Sequence, residues 1–315
     1  MNKLKSVNLM ATSRCNSHCN MCGIWSSPDN NDIKADPLSG LFSAFEFSEV
    51  EDASISGGEP FLRNDIVSIS ETMIRSFGAL KMLFINTNGL LPAIIIEQIK
   101  KISEIAKHVN PVLEIILSVS LEGPKEIHEI IRGRGYRQSL ETIRGAKSLK
   151  MPNLKIMVSM TIQKINQGYI LDVKKLAESL GCGFSFRFCD FSDNYYMNSS
   201  DKEISLTAGE KVVIMDSLKN YFLSDIFFKV LHEHVAQDKN SVMLAPNGQL
   251  ICRAGEIFIF IKSDGNIYPC IYSHQIIGNI KDGLQNFALQ RISNCPCCTE
   301  CHIYPMLIYG KGKNN

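Results

Sequence analysis

The sequence has almost no surplus of charge of either sign: 33 Lys and Arg face 32 Asp and Glu, for a formal net charge of +1 at pH 7. That excludes the broadly basic surface through which proteins bind nucleic acid by displacing counterions. No apolar run reaches the about 20 residues that a membrane-crossing helix needs. The first residues, Met1 to Lys5, lead straight into a short strand-like run and lack the apolar stretch of a signal peptide. A cytoplasmic protein without nucleic-acid or membrane partners is therefore expected. There is no internal repeat. An apolar share of 45% and a charged share of 21% are ordinary for a globular chain. The 315 residues suffice for one large domain, or one large and one small, with a sizeable core.

Cysteine is the residue present in excess. Eleven occur, and they are clustered: Cys15, Cys19 and Cys22 at the start, then Cys252, Cys270, Cys295, Cys297, Cys298 and Cys301 near the end. Only Cys182 and Cys189 lie between, where they read as ordinary buried residues. In a reducing compartment, clusters of this kind point to metal rather than to disulfides.

The first two-thirds of the chain alternates two periodicities. Short apolar runs at 6–11, 53–56, 82–86, 114–120, 155–161 and 183–188 predict strands. Helical spacing of apolar residues predicts helices over 65–77, 91–108, 136–149 and 168–180. Six such βα units predict an α/β fold, a partial (β/α)6 barrel of parallel strands covered by helices. This core is assigned to residues 1–191. A polar stretch and two predicted helices, 207–223 and 225–236, form a linker over 192–245. Residues 246–309 form a small terminal domain, with a hairpin over 256–262 and 266–268 around the turn Ser263, Asp264, Gly265. The tail 310–315 reads as disordered.

Cys15, Cys19 and Cys22 are spaced C-x3-C-x2-C and follow the first predicted strand directly. A barrel-type fold places its chemistry on such loops. Three thiolates can hold three irons of a [4Fe–4S] cube and leave the fourth iron open to a small molecule. Zinc is the rival, with His18 available as a fourth ligand.

At this point the sequence resembles the radical S-adenosylmethionine (SAM) superfamily. The resemblance implies that SAM chelates the open iron and is cleaved reductively, giving a 5′-deoxyadenosyl radical that takes a hydrogen atom from substrate. Ser56, Gly57, Gly58, Glu59 and Pro60 follow the second predicted strand, as the family's G-G-E-P motif does, and would meet the methionine amino group. The paired glycines allow close backbone approach, and Glu59 offers an acceptor. Residues 117–124 resemble the segment that closes the family's fourth strand, with Glu122 in place of the usual Asp. The resemblance makes Ser120 a cofactor contact and Arg132 the residue that binds the SAM carboxylate, a role suited to a guanidinium fork. The turn Asn86 to Gly89 resembles the family's T-N-G segment. Arg187, flanked by aromatics in the sixth predicted strand, is a further candidate for cofactor or substrate, although alternation alone leaves it free to face outward.

Cys252 and Cys270 bracket the predicted hairpin, and Cys298 with Cys301 gives C-x2-C. The segment resembles a SPASM extension in its shortened twitch form. On that reading one auxiliary [4Fe–4S] cluster is held by Cys252, Cys270, Cys298 and Cys301, with Cys295 as substitute for one ligand. Structural zinc could use the same residues.

These readings lead to an oxidoreductase acting on a small molecule, with dehydrogenation of a sugar or an aminoglycoside-like compound preferred. The alternatives are epimerisation of a small molecule, or maturation of a peptide or protein. Only 14 residues precede Cys15, and the small-molecule preference rests on that short N-terminal segment. The electron would come from an external donor such as flavodoxin or ferredoxin.

Overall fold

The computed structural model describes residues 4–26, 31–43, 47–198, 203–223 and 252–282, with residues 225, 228, 229, 231, 232, 235 and 289. Six parallel strands form the core: β1 (Ser6–Thr12), β2 (Asp52–Gly57), β3 (Met82–Thr87), β4 (Glu114–Ser120), β5 (Leu154–Ile162) and β6 (Gly183–Phe188). They lie side by side in sequence order. This is the βα alternation that the two periodicities predict, and the sheet does not close into a barrel.

Helices α1 (Ala35–Phe42), α2 (Ile66–Ser76), α3 (Pro92–Val109), α4 (Lys125–Arg132), α5 (Tyr136–Ser148) and α6 (Ile170–Ser179) connect the strands. The longest, α3, starts on Pro92, where proline's missing N–H costs nothing. It buries Ile95, Ile99, Ile102 and Ala106 at helical spacing. Two short helices escape the sequence pattern. α1 contains Pro37 and Gly40, poor helix formers, and is held by packing: Phe42 lies 5.3 Å from Phe47 and 4.8 Å from Phe77, ring centre to ring centre. α4 spans only eight residues and stops at Gly133, whose φ of +80° suits a glycine cap.

The register sorts the strand residues onto two faces. Leu9, Ile55, Ile85, Leu117 and Ile156 stand abreast across β1 to β5 and are buried in the core with the helices. The alternate positions are mixed: small polar pairs such as Asn8 with Ser54, Asn86 with Ser118, Ser120 with Ser159 and Ser159 with Ser185 share this face with Met10, Phe84, Ile116, Met157 and Phe260. This second face looks away from the helix layer.

The predicted hairpin is present as β7 (Phe258–Ile261) and β8 (Asn266–Tyr268), followed by β9 (Gly278–Asn279). Its docking was not foreseen. β7 pairs in parallel with β1, so the extension continues the core sheet on the side opposite β2. A further helix, α7 (Ala208–Leu218), is opened by a capping box between Thr207 and Glu210. No described helix is long and apolar enough to cross a membrane.

Candidate active site

The loop after β1 carries Cys15, Cys19 and Cys22. Cys19 is buried, and the other two are half-buried. Ser17 Oγ lies 3.2 Å from the Cys19 sulfur, and the Asn88 amide nitrogen lies 3.9 Å from the Cys15 sulfur. Burial pushes the Cys15 thiol up to about 11 and the Cys22 thiol up to about 12, with the charge of neighbouring cysteines adding to the rise. Such groups stay neutral at pH 7 unless a cation binds among them. Among the described residues no three His, Cys, Asp or Glu side chains stand close enough to share one metal ion. A cube spreads its ligand sulfurs over separate irons, so its thiolates need not meet at one point. His18 packs edge-on against Trp25, with ring centres 4.7 Å apart.

Glycine shapes the floor beneath this loop. A Cβ on Gly58 would come within 2.1 Å of the Arg14 carbonyl oxygen, and one on Gly57 within 2.3 Å of that of Thr12. Gly57 also holds a φ of +134°. The backbone N–H groups of Gly58 and Glu59 donate to Thr12 and Arg14, each at 2.8 Å. The cysteine loop therefore rides directly on the G-G-E-P turn.

Glu59 is fully buried, and its carboxylate is engaged inside the protein. It accepts from Phe61 N at 3.1 Å, Thr87 Oγ1 at 2.9 Å and Asn88 N at 2.7 Å. It thus ties the turn after β2 to the Thr87–Gly89 turn after β3. Burial raises it to about 7 despite these donors.

Arg132, at the end of α4, donates through Nε to Glu122 Oε1 at 2.8 Å and directs Nη1 to the Cys19 sulfur at 3.7 Å. Glu122 is fully buried, and its Oε2 accepts from Thr161 N at 2.7 Å. Ser120 closes β4 on the polar face, opposite Ser159. Arg187 shares that face: its neighbours Phe186 and Phe188 are buried, while its guanidinium meets Tyr196, bonding the hydroxyl and lying 5.1 Å over the ring. The outward orientation that alternation allowed is the polar basin itself.

The loop after β6 is the part that sequence reading missed. It looked like polar linker. In the structure Asn198 Nδ2 donates to Met21 O at 2.7 Å and to Asp190 O at 2.9 Å, and Gly23 N donates to Tyr196 O at 2.7 Å. The buried Tyr195 hydroxyl bonds to Ser56 and the Gly57 backbone. The same loop reaches the extension: Ser192 Oγ donates to Ile271 O at 2.6 Å, and Tyr272 OH to Asp190 Oδ2 at 2.7 Å. Aromatic residues within a polar stretch, Tyr195 and Tyr196, were the available signal. Cys182 lies in the main core, as expected. Cys189 is also buried, but it packs in one small cluster with Cys19, Met21 and Ile131, and burial raises its thiol to about 12.

Cys252 and Cys270 come together in a second small cluster with Ala254, Ile257, Phe258 and Tyr272. Cys295, Cys297, Cys298, Cys301 and the tail 310–315 lie outside the described residues.

The superfamily signature for radical SAM enzymes matches residues 9–177, more than half of the chain. This chain belongs to the radical SAM superfamily. It is 26% identical over 290 residues to GTP 3′,8-cyclase of Aquifex aeolicus, covering 86% of this chain and 82% of that protein. To the cysteine-type anaerobic sulfatase-maturating enzyme of Clostridium novyi it is 24% identical, covering 99% and 89%. Its fold is similar to that of Streptococcus suis SuiB bound to the precursor peptide SuiA, with a TM-score of 0.66 and 17% identity. That match covers 89% of this chain but 63% of SuiB, so the chain spans less than two-thirds of it. This radical SAM chain is an enzyme that binds SAM and an iron–sulfur cluster, and its relatives include maturation proteins.

Proposed function

We propose that this radical SAM enzyme removes a hydrogen atom from a peptide or protein substrate. The carrying observation is the polar face of an unclosed sheet. Serines and asparagines line it together with Phe84, Ile116 and Met157, Arg187 stands within it, and β6 and β9 at the two ends of the strand order do not pair. An open basin of this kind suits an extended chain better than a closed pocket does. The likeness to a sulfatase-maturating enzyme, and in fold to SuiB with its precursor peptide, supports the same reading.

Cys15, Cys19 and Cys22 would hold the first [4Fe–4S] cluster. The Cys15 and Cys22 thiols, kept neutral by burial, fit a group that brings its own positive charge. When bound, the cluster and SAM supply a 5′-deoxyadenosyl radical. The chain's own residues do the holding. Gly57 and Gly58 let backbone approach the ligand, Glu59 fixes that turn from beneath, and Arg132, oriented by Glu122, presents a cation to the SAM carboxylate. Ser120 and Arg187 face the basin where SAM and substrate meet. Cys252 and Cys270 would hold part of one auxiliary [4Fe–4S] cluster, completed by Cys298 and Cys301, or by Cys295 in place of one of them.

The test is SAM cleavage by anaerobically reconstituted enzyme with a strong reductant. A precursor peptide encoded beside the gene should stimulate 5′-deoxyadenosine formation, and deuterium placed on its reacting carbon should pass into the 5′-deoxyadenosine. The Cys15/Cys19/Cys22 triple Ala variant should be inactive while keeping about four irons at the second site. Stimulation by GTP and not by peptide would overturn the reading in favour of a small-molecule substrate, which the cyclase likeness favours. Zinc at the second site would refute the auxiliary cluster.

A further inference from the structure

We propose that Ser17 acts through Cys19 as a positioning residue: its buried hydroxyl donates to the Cys19 sulfur and raises the reduction potential of the first cluster. The proposal rests on the reading of Cys15, Cys19 and Cys22 as ligands of that cluster. Hydrogen bonds to ligand sulfurs are among the features that set the potential of an iron–sulfur cluster. Ser17 lies in the spacer between Cys15 and Cys19 and is 1% exposed, so bulk water does not compete for its hydroxyl.

Ser17 serves two of the three cysteines. Its backbone N–H bonds the Cys15 sulfur, and its Oγ lies 3.2 Å from the Cys19 sulfur. The same Oγ is 3.1 Å from the carbonyl oxygen of Arg132, the last residue of α4. A helix leaves its final carbonyls without internal partners. The cysteine loop supplies donors to two of them: Ser17 Oγ to Arg132 O, and Asn20 N to Ile131 O at 2.9 Å. The Arg132 guanidinium in turn directs Nη1 to the Cys19 sulfur at 3.7 Å. Cys19 therefore has two side-chain donors beside it, one from its own loop and one from α4.

The Ser17 hydroxyl has one proton and two acceptors within reach. A thiol can donate to Ser17 Oγ while Ser17 donates to Arg132 O. A thiolate on iron has no proton to give and only accepts, so the Ser17 proton is then divided between the carbonyl and the sulfur. Reduction of [4Fe–4S]2+ to [4Fe–4S]+ by a low-potential one-electron donor adds one negative charge and forms or breaks no bond. The added charge makes the sulfur the better acceptor, because a hydrogen bond strengthens when its acceptor is ionised. Donation from Ser17 therefore stabilises the reduced state more than the oxidised one. The gain is moderate, since Arg132 O loses its donor as the sulfur gains it.

The experiment titrates reconstituted holoenzyme with dithionite and redox mediators and follows the reduced cluster by electron paramagnetic resonance. The signal that changes on adding SAM marks the first site. Ser17→Ala removes the hydroxyl and keeps the backbone N–H. It should shift the midpoint downward, by about 59 mV for a tenfold loss in the one-electron equilibrium. Ser17→Thr, which keeps the hydroxyl, should stay at the wild-type midpoint. Ser26→Ala removes a nearby exposed hydroxyl that bonds Gly23 O at 2.7 Å, and should shift nothing. A purely structural Ser17 would change stability or iron content and leave the midpoint where it is. An unchanged midpoint in iron-loaded Ser17→Ala would therefore overturn the proposal. Where the smaller side chain impairs loading, Ser17→Thr and Ser17→Val, alike in shape and different in the hydroxyl, decide it: a lower midpoint in Val supports the proposal, and equal midpoints sink it. A wild type without a SAM-sensitive signal would fail the first-site reading itself, whereas a SAM-sensitive signal indifferent to Ser17 fails this proposal alone.

Discussion

Arg132 is held by Glu122: the carboxylate accepts from Nε at 2.8 Å, and this leaves Nη1 turned to the Cys19 sulfur at 3.7 Å. Glu122 stands where the family's motif has Asp, and its second oxygen is anchored on Thr161 N. The pair joins the end of β4, the end of β5 and the cysteine loop through one buried charge couple.

Glu122→Gln should therefore cost about 3–5 kcal/mol of stability, because it leaves a largely buried guanidinium without its counter-charge. It should also weaken SAM binding, since Arg132 loses its fixed orientation. Urea denaturation and SAM titration check both effects. A variant as stable as wild type would show that the pair is solvated in solution.

Gly58→Ala should lower iron loading without touching a cysteine. The added methyl group would sit 2.1 Å from the Arg14 carbonyl oxygen, so the backbone before Cys15 must move. Overpacking of this kind costs about 1–3 kcal/mol. Iron analysis after reconstitution, compared with Gly40→Ala, where a Cβ meets nothing within 4 Å, separates the local effect from general damage.

Glu59 gives a pH dependence of definite sign. Burial lifts it from 4.5 to about 7 in the folded protein. The folded state then holds this proton more tightly than the unfolded state between those values. Its contribution to stability falls as pH rises from 4.5 to 7 and is level above that, by on the order of 3 kcal/mol in total. Wild type should lose stability across this window relative to Glu59→Gln, measured by denaturation of metal-free protein at pH 5 and pH 7.5. Parallel curves for the two proteins would contradict the raised value.

Asn198→Ala should loosen the cysteine loop from a distance of 177 residues in sequence. The buried amide serves Met21 O, Asp190 O and Ser192 N at once. Each buried group left without its partner costs about 1–3 kcal/mol. Hydrogen exchange at residues 19–24 should quicken, while the distant α3 stays protected. Unaltered exchange around Cys22 would mean that the loop holds itself.

The sequence by itself determined the six βα units, the hairpin and the position of the cysteine loop at a strand end. Those features are written in local periods, about 3.6 residues for a helix and 2 for a strand, and in short motifs that need no distant partner. It also marked Glu59, Arg132 and Arg187, but not what each touches. Only the tertiary structure decided that Glu59 points inward to Thr87 and Asn88, that Arg132 is shared between Glu122 and Cys19, and that Arg187 lies on the polar face. It alone set β7 against β1 and brought the 190–198 loop to Met21, Gly23 and Ser56. Alternation along a strand separates two faces without saying which one the helices cover. Contacts between residues far apart in the chain depend on packing that the whole fold must first create.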